Sequence, residues 1–468
     1  MEGETKARRG HCVALAYPDQ GHINPLLEFS KRLRHEGINV TLVCTVSYCT
    51  NFHKLPGYNI ALETISDGFD DGGIDEAERQ NVNYYNRLRE VGTQTLIELI
   101  EKLNRTGKPV DCILYDSFLP WALEVSRKLG LLGVSFLTEN IAVDSIYYFV
   151  NKGKLKHPLV KDQKISLPGL PSLEPRDLPT FLYEREPGDP VLGLLVGQFS
   201  NSEQADWILC NSFYELEIEV ADCMKKFWPK LRTIGPTIPH EFLNNNIKVL
   251  GDEEDHGFAK FKSEECTKWL DNQPKQSVVY VSFGTKVALT EEQMEEIAWG
   301  LTDSGIAFLW VVRKSEEAKL PKNFPRKSQK SLVVSWCHQL KVLSHGAIGC
   351  FVTHCGWNSS LEALSSGVPM VLMPLWSDQT TNAKMMKDVW KIGVKAQFDE
   401  KGIVRREALK KSIWEIMKGE EKEGRGGACE VNNVMKWKNL AAKAVNKGGS
   451  TWNNIEEFID SLSHHSKV

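Results

Sequence analysis

The residues best suited to chemistry lie close together in one stretch of the chain, between Trp336 and Gln379. The stretch reads WCHQLKVLSHGAIGCFVTHCGWNSSLEALSSGVPMVLMPLWSDQ. It contains aromatic rings that can stack, hydroxyl and amide groups that can bind phosphate, and a carboxylate that can bind a diol. An Asp-Gln pair closes the stretch. This set of groups fits a nucleotide-sugar from its base to its sugar.

Trp336 and Gln339 follow a predicted strand, where the chain reaches the carboxyl edge of a sheet. An indole at this edge can stack on a base, although a tryptophan can equally fill a core. Gln339 can bond to a base or a ribose, and an exposed glutamine at a helix start is the alternative. Taken singly, these two residues leave both interpretations open.

The segment HCGWNSS begins at His354 and joins a predicted strand to a predicted helix. Asn358 and Ser359 therefore fall at a helix N-terminus, where backbone N–H groups and the helix dipole favour a phosphate. His354 can add a donor at the strand end. Asn358 could instead only cap the helix. Gly356 beside Trp357 allows close backbone approach and favours an anion site.

Three further polar residues extend this set towards a ribose and a sugar. Glu362 lies four residues after Asn358, so both project from the same side of the helix. A carboxylate at this position can accept two hydrogen bonds from a ribose diol. Asp378 and Gln379 follow the next predicted strand and can hold sugar hydroxyls, unless they only cap a helix.

Cysteines and histidines in the same stretch raise the alternative of a zinc site. The candidates are Cys337, His338, His345, Cys350, His354 and Cys355. They lack a paired C-x-x-C spacing, and several fall inside a predicted strand, so we predict no metal. The chain also lacks the G-x-x-x-x-G-K-[ST], G-x-G-x-x-G and G-x-S-x-G patterns. ATP hydrolysis, dinucleotide redox chemistry and serine hydrolysis are therefore disfavoured.

Apolar strand-like runs alternate with helical patterns in two separate series, which predicts parallel sheets covered on both faces. The first series contains residues 11–17, 38–44, 61–65, 111–115, 134–138 and 207–213, and the second contains 277–284, 307–313, 332–335, 347–354 and 369–374. A chain of 468 residues is also long enough for two domains. The predicted fold class is α/β, with two doubly wound Rossmann-like domains and a ligand cleft between them.

The predicted linker between these domains is the polar segment 241–260, which contains three consecutive asparagines and an acidic run. Residues 1–240 would form the first domain and 261–450 the second. Residues 451–468 would form a C-terminal helix that could pack back on the first domain. Residues 151–205 interrupt the first series with prolines, and we interpret them as a surface excursion.

His22 and Asp116 form a second candidate constellation, far in sequence from the first. His22 lies in the predicted loop after the first strand, before a helix expected from Pro25 to Glu36, and Asp116 ends the fourth strand. In a sheet of order 3-2-1-4-5, strands one and four are neighbours, so both residues reach the topological switch point. A carboxylate touching a histidine fixes its tautomer and makes it a tuned base. Taken singly, a loop histidine and a capping aspartate would be the simpler interpretation.

The composition argues against several classes of protein. A net charge of −4 gives no sign of a nucleic-acid partner. The N-terminus lacks an apolar signal core and no stretch is long enough to span a bilayer, so we expect a cytoplasmic protein without a membrane partner. The 11 cysteines are widely spread, often in apolar runs as at Cys44, Cys112 and Cys350, which suggests reduced, buried thiols.

The stretch from Trp336 to Gln379 resembles the signature box of plant family 1 UDP-glycosyltransferases, which have the two-domain GT-B architecture. The likeness extends to the segments PDQGHINP, YDSFLPWALEV, LPGLPSLEPRDLPTF and FGT. In these segments the chain is similar to the plant group 74 glucosyltransferases. The resemblance implies a UDP-glucose donor, no cofactor or metal, and a monomeric enzyme.

The resemblance also implies which residues bind the donor. Trp336 would stack on uracil, with the Cys337 backbone and Gln339 on base and ribose. Glu362 would bind the ribose hydroxyls. His338 stands where the family usually has proline, and we expect a changed loop without a changed donor.

For the rest of the donor, the resemblance implies two further groups of residues. The diphosphate would be bound by His354, Asn358, Ser359 and Thr285. The sugar would be held by Trp357, Asp378 and Gln379. A glutamine at the end of the box suggests glucose in this family.

For the reaction, the resemblance implies that His22 deprotonates the acceptor hydroxyl while Asp116 balances the charge. The hydroxyl would attack the anomeric carbon in one displacement and give an inverted β-glucoside. Negative charge on the leaving UDP would be met by the helix N-terminus at Asn358 and Ser359.

The acceptor is expected to be a hydrophobic small molecule with a steroid, terpenoid or phenolic hydroxyl. Candidate pocket residues are Phe118, Leu119, Ile141, Tyr84 and Tyr147, of which Tyr147 is better explained as core. Two alternatives stay open. One is an ester-forming or S-glucosylating enzyme on the same scaffold, and the other is a non-catalytic UDP-sugar binding protein.

Overall fold

The computed structural model describes residues 10–49, 60–159, 163–243, 260–419 and 428–465. The chain divides into two compact units. The first contains Met1–Pro175, Phe181–Ile238 and Ala444–Val468, and the second contains Arg176–Thr180 and Pro239–Lys443. Residues 244–259, which make up most of the predicted linker, lie outside the described residues.

Parallel strands form the sheet of the first unit. They are β1 (His11–Leu15), β2 (Asn39–Thr45), β3 (Ala61–Ile65), β4 (Cys112–Asp116), β5 (Leu132–Leu137), β6 (Trp207–Cys210) and β7 (Leu231–Thr233). Their order is β3-β2-β1-β4-β5-β6-β7, which confirms the predicted arrangement of the first five. β1 pairs with β4 up to Leu15 opposite Tyr115, so the carboxyl ends of these two strands are adjacent.

Helices connect these strands. They are α1 (Gln20–His35), α2 (Val46–Cys49), α3 (Gly73–Arg79), α4 (Tyr84–Arg105), α5 (Trp121–Leu129), α6 (Ile141–Asn151), α7 (Phe181–Glu184), α8 (Pro190–Gly197) and α9 (Ile218–Met224). The expected helix start at Pro25 is wrong, because α1 already begins at Gln20. Asp19 caps it, with its Oδ1 accepting the Gly21 N–H at 2.8 Å. His22 therefore lies in the first helical turn and not in a loop.

The sheet of the second unit is also parallel. Its strands are β8 (Val278–Ser282), β9 (Ala307–Val311), β10 (Ser331–Val334), β11 (Ile348–Thr353), β12 (Met370–Leu372) and β13 (Gly393–Lys395). Their order is β10-β9-β8-β11-β12-β13. The strand order therefore reverses between β8 and β11, and the loops that follow these strands flank a topological switch point.

The second unit contains eight labelled helices among its described residues. They are α10 (His240–Leu243), α11 (Lys260–Asp271), α12 (Glu291–Ser304), α13 (Gln339–Leu343), α14 (Trp357–Ser366), α15 (Gln379–Lys384), α16 (Arg406–Lys418) and α17 (Ala428–Val445). α14 directly follows the loop after β11, so Asn358 and Ser359 lie in its first turn, as predicted.

The C-terminal helix α18 (Ser450–His465) is part of the core of the first unit. Its buried face consists of Ile455, Phe458, Ile459 and Leu462. The Phe458 ring lies 5.9 Å from that of Trp207 on β6. Arg232 on β7 also bonds to Glu457, with Nε 2.7 Å from Oε2. Among the described residues, no helix is long and apolar enough to cross a membrane.

Cys44 departs from the reduced thiols expected from the sequence. It is joined by a disulfide to Cys49, and the two Cα atoms are 6.4 Å apart. β2 passes directly into α2, and this single helical turn brings Cys49 back towards the end of the strand. Cys112 and Cys350 are free and buried, as predicted.

Candidate active site

His22 and Asp116 are in contact at the carboxyl edge of the first sheet. His22 Nδ1 lies 2.8 Å from Asp116 Oδ2, and the exposed fractions of the two side chains are 15% and 0%. Asp116 Oδ1 accepts the Phe118 backbone N–H at 3.0 Å. Thr138 Oγ1 is 3.3 Å from the same His22 nitrogen. Because both carboxylate oxygens are engaged, the carboxylate is fixed in place and orients the imidazole.

Two aromatic rings pack against the imidazole of His22. Its ring centroid is 4.4 Å from that of Phe118 and 5.2 Å from that of Tyr17. The Tyr17 hydroxyl is hydrogen-bonded to that of Tyr85, and burial is the main reason that the pKa of Tyr17 is well above its usual value. Tyr17 is therefore a neutral phenol near the candidate base. Sequence reasoning missed it, although its place two residues after β1 could have indicated it.

The other residues proposed for an acceptor pocket lie in the interior of the first unit. These are Leu119, Ile141, Tyr84 and Tyr147, all of which are buried. The Tyr84 hydroxyl donates to Asp67 Oδ2 at 3.0 Å, so it has a structural partner. The interpretation of Tyr147 as a core residue is confirmed, because its side chain is fully buried. Of the five candidates, Phe118 alone packs against His22 in the described contacts.

Trp336 and Cys337 lie in the loop after β10, one residue beyond its end, and they differ in exposure. Trp336 is 42% exposed, which is unusual for an indole and leaves a ring on which a base can stack. The Cys337 side chain is buried, with its Sγ 3.4 Å from the hydroxyl of Tyr280. Only the backbone of Cys337 is therefore suited to address a ligand.

Gln339 is the centre of a side-chain network that joins three elements. Its Oε1 accepts the Tyr280 hydroxyl at 3.1 Å. Its Nε2 donates to Glu362 Oε2 at 2.7 Å and to Ser359 Oγ at 2.9 Å. Tyr280 on β8 was not predicted from the sequence, where it looked like any apolar strand residue. The network fixes the side chain of Glu362, because Gln339 is itself held at its other end.

Glu362 has a perturbed pKa. Burial raises the pKa of this half-buried carboxyl group to about 7, and the hydrogen bond from Gln339 acts in the opposite direction. A desolvated carboxylate is a strong acceptor for paired hydroxyl donors. Glu362 can therefore bind a ribose diol in its ionised form.

The loop between β11 and α14 has the construction of an anion site. Gly356 is the N-cap of α14 and has no side chain to fill the helix N-terminus, so the alternative that Asn358 caps the helix is wrong. Cys355 has a left-handed backbone with φ of 69°, a conformation that is rare outside glycine and common at functional sites. The first-turn amides of α14 thus have the orientation that favours a phosphate.

His354 lies against the backbone of two glycines. A Cβ atom at Gly284 would be 2.7 Å from His354 Nε2, and one at Gly356 would be 2.5 Å away, so neither position admits a side chain without a shift. Burial lowers the pKa of His354 to about 4. The imidazole is therefore neutral at physiological pH and can act as a hydrogen-bond donor but not as a cation.

Thr285 lies in the loop after β8, beside the switch point that His354 also reaches. Its side chain is exposed. The guanidinium of Arg313 donates to the backbone carbonyls of Thr285 and Val287, and so fixes the backbone of this loop. Arg313 was not predicted from the sequence, because nothing in the pattern after β9 indicates this contact.

The three residues expected to hold the sugar differ in which of their groups are available to a ligand. Gln379 is buried, and its Oε1 accepts the N–H groups of Leu375 and Trp376 at 3.0 and 3.1 Å. Its Nε2 is then the group suited to donate to a sugar hydroxyl. Asp378 is the N-cap residue of α15 but makes no side-chain cap bond. The Trp357 indole is buried, 5.8 Å from the ring of Trp390, so its backbone is better placed than its ring for a ligand.

Comparison with known proteins identifies the family. A family model described as UDP-glucoronosyl and UDP-glucosyl transferase matches residues 215–423. Mogroside I-E synthase of Siraitia grosvenorii is 42% identical over 458 residues, which are 97% of this chain and 98% of that protein. The chain belongs to the UDP-glycosyltransferase family. A flavonol 7-O-beta-glucosyltransferase of Arabidopsis thaliana is also 42% identical, over 97% of this chain and 98% of its own length.

The resemblance to plant group 74 enzymes is confirmed, since several relatives carry that group designation. A solved structure of Os79 from O. sativa in complex with UDP matches with a TM-score of 0.87 and 37% identity, over 96% of this chain and 100% of that one. This UDP-glycosyltransferase thus has the GT-B type of fold, with two Rossmann-like domains. Its substrates are a UDP-sugar and a small molecule.

Proposed function

We propose that this UDP-glycosyltransferase transfers glucose from UDP-glucose to a hydroxyl group of a hydrophobic small molecule, with inversion at the anomeric carbon. The single observation that carries this proposal is the 2.8 Å contact between His22 Nδ1 and Asp116 Oδ2. A histidine with a buried carboxylate on one nitrogen has the construction of a general base.

The reaction is a single displacement. Asp116 favours the tautomer with the proton on His22 Nδ1, so that Nε2 takes the proton of the acceptor hydroxyl. The acceptor oxygen then bonds to the anomeric carbon of glucose, while the bond from that carbon to the UDP oxygen breaks. Negative charge gathers on the leaving diphosphate, and the α14 N-terminus at Asn358 and Ser359, with neutral His354, would stabilise it. No cofactor or metal takes part in this proposal.

The donor is held by groups that each match one part of UDP-glucose. Trp336 stacks on uracil, and the Cys337 backbone with Gln339 addresses the base and ribose. Glu362 accepts the ribose hydroxyls. The diphosphate contacts are His354, Asn358, Ser359 and Thr285, and the sugar contacts are Trp357, Asp378 and Gln379.

The proposed class of acceptor is based on the aromatic rings beside His22, the proposed general base. Tyr17 and Phe118 form an apolar, aromatic surface beside His22, which suits a flat or fused-ring molecule. A phenolic, terpenoid or steroid hydroxyl fits this surface. We also propose that the enzyme is a monomer in the cytoplasm, which light scattering and imaging of a tagged chain would test.

The test is transfer from UDP-glucose to a panel of phenolic, terpenoid and steroid acceptors, read by mass spectrometry and by the anomeric coupling in proton NMR. We expect β-glucosides from the wild-type enzyme. His22→Ala should lower turnover roughly thousandfold, because general bases contribute that order of rate, while UDP still binds. Retained turnover in His22→Ala would contradict the assigned base.

The same experiment separates the alternative functions. A product that mild alkali cleaves would identify an ester-forming enzyme, and a carbon–sulfur bond would identify an S-glucosyltransferase. UDP binding without UDP release for any acceptor would identify a non-catalytic binding protein.

A further inference from the structure

Residues Arg176–Thr180 form a segment that belongs to the second unit, although the chain on both sides of it belongs to the first. We call these five residues the strap. It lies in the proline-rich stretch that the sequence suggested to be a surface excursion. Asp177 and Thr180 are nevertheless buried, which indicates that the strap has a specific packing partner.

The partner of the strap is the turn from Leu375 to Asp378. The backbone N–H of Ser377 donates to Thr180 Oγ1 at 2.8 Å, and its carbonyl accepts the Thr180 N–H at 2.9 Å. Ser377 has a left-handed backbone with φ of 58°, which a serine adopts only when its surroundings enforce it. The two bonds from Thr180 thus hold the least favourable residue of this turn.

Three more contacts anchor the strap to α15. The Thr380 hydroxyl donates to the Leu178 carbonyl at 2.6 Å, and the Thr381 hydroxyl donates to the Asp177 carbonyl at 2.8 Å. Asp177 Oδ2 also lies 3.4 Å from Lys384 Nζ. The strap is therefore held along its length, and Thr180 is the point at which it bonds to the turn itself.

The turn carries the candidate sugar contacts. Asp378 ends it and Gln379 follows, and the Gln379 Oε1 closes the turn from its other side by accepting the Leu375 and Trp376 amides. The turn is thus held between the amide oxygen of Gln379 and the hydroxyl of Thr180. A shift at Ser377 would move both sugar contacts, whereas Trp336 lies in the loop after β10 and Glu362 lies in α14.

We propose that Thr180 is a positioning residue that sets the sugar-binding turn for the glucose of UDP-glucose. This inference rests on the proposed function, because it takes Asp378 and Gln379 as sugar contacts. The role of Thr180 is carried by its hydroxyl, since its backbone bond to Ser377 is available to any residue type. The strap therefore acts on the affinity for the sugar and on the choice between sugars, and leaves the affinity for UDP unchanged.

The experiment compares the wild-type enzyme, Thr180→Val and Thr180→Ser by calorimetric binding of UDP and of UDP-glucose, and by transfer rates with UDP-glucose and UDP-galactose. Valine keeps the shape of threonine but removes the acceptor of the partly buried Ser377 N–H. We expect a roughly tenfold loss in UDP-glucose transfer, a smaller preference for glucose over galactose, and an affinity for UDP unchanged within about twofold. Thr180→Ser should restore all three quantities.

Thr451→Val is the matched control. Thr451 is a fully buried threonine of the first unit whose hydroxyl donates to the Gly235 carbonyl at 2.7 Å. This variant loses one hydrogen bond of a buried threonine hydroxyl, as Thr180→Val does, and should show a similar fall in melting temperature without a change in donor preference. If both variants change transfer equally, the effect of Thr180 is general destabilisation and the proposal is overturned.

Failure of this inference and failure of the proposed function give different results. Wild-type transfer from UDP-glucose with an unaltered donor preference in Thr180→Val would overturn the role of Thr180 alone. Absence of transfer in the wild-type enzyme would overturn the proposed function. The ratio of UDP-glucose affinity to UDP affinity then still tests Thr180, because an equal ratio in Thr180→Val and wild type overturns its role.

Discussion

The carboxyl edges of the two sheets carry different kinds of chemistry. In the first unit, one pair of titratable residues, His22 and Asp116, is fixed by contacts of 2.8 and 3.0 Å and enclosed by aromatic rings. In the second unit, the candidate contacts are spread over loops after β8, β10, β11 and β12, and most are hydrogen-bonding or stacking groups. In the proposed function, catalysis is thus concentrated in the first unit, and donor binding is distributed over several segments of the second.

This difference predicts different responses to mutation. A general base and the carboxylate that orients it act together, so that removing either residue removes most of the rate enhancement. A ligand with many contacts loses only one increment of binding energy when a single contact is removed. The four predictions below test this contrast, beginning with the largest effect.

Asp116→Asn should lower kcat by roughly a hundredfold or more, with the affinity for UDP unchanged. The amide keeps an oxygen for the Phe118 N–H, but it directs an NH₂ group at His22 Nδ1 and so favours the wrong tautomer. Steady-state kinetics with calorimetric UDP binding would measure both quantities.

Asp67→Asn is the control for Asp116→Asn, because Asp67 is a buried carboxylate of the same unit that bonds to Ser47 and Tyr84. It should lower stability and leave kcat of the folded enzyme within about twofold. An equal loss of kcat in both variants would show that the effect of Asp116→Asn does not depend on the contact between Asp116 and His22.

Trp336→Ala should weaken UDP binding by about thirtyfold, since stacking of one base on an aromatic ring contributes energy of that order. Trp336→Phe keeps a smaller ring and should give an intermediate affinity. The kcat at saturating donor should change little in either variant. A large fall in kcat without a change in affinity would contradict the assignment of Trp336 to binding.

Uridine binding should weaken by about tenfold between about pH 8 and about pH 6, because the carboxyl of Glu362 has a pKa of about 7. Above this pKa the carboxylate accepts the ribose diol, and below it the protonated group loses that acceptor, so affinity falls as pH falls. Uridine is the chosen probe because it has no titrating phosphate. Glu362→Gln should remove the pH dependence, and a parallel curve in that variant would assign it to another group.

His338→Ala should have the smallest effect. His338 is the N-cap of α13, with its Nδ1 accepting the Lys341 N–H at 3.3 Å, and its ring lies 6.2 Å from that of Phe242. Loss of this cap should cost about 1 kcal/mol of stability and weaken UDP binding by only about threefold through Gln339. The preference for UDP-glucose should not change, and a changed preference would contradict the view that His338 acts on the nucleotide end.

The sheet topology and the contact between His22 and Asp116 could be predicted from the sequence, because buried strands give long apolar runs and the strand order dictates which ends meet. β7 and β13 were missed, since each has three residues that include a charged side chain, whereas the equally short β12 lies within a longer apolar run. The start of α1 was missed because proline is favoured at the first position of a helix, so the helix was predicted to begin at Pro25. The residue that caps the helix is Asp19, six positions earlier.

The residues that hold the candidate site were harder to predict than those that line it. Tyr280, Arg313 and Thr180 act through contacts over long sequence separations, and their residue types are common in strands and loops. By contrast, the candidate ligand contacts after β10, β11 and β12 lie within one continuous stretch of sequence, and only Thr285 after β8 lies outside it. Prediction therefore succeeds where the ligand contacts are local in sequence, and fails where tertiary packing alone brings the partners together.

The first unit is built from segments that precede and follow the second unit in the chain, and this arrangement determines the order in which the two units are completed during synthesis. Its core contains β1, which precedes the second unit in the chain, and α18, which follows it, so the contacts of α18 form only after the second unit has been synthesised. The second unit, which ends at Lys443, leaves the ribosome earlier. The first unit is thus completed after the second, and the proposed catalytic pair of His22 and Asp116 depends on a core that includes a helix synthesised after the whole second unit.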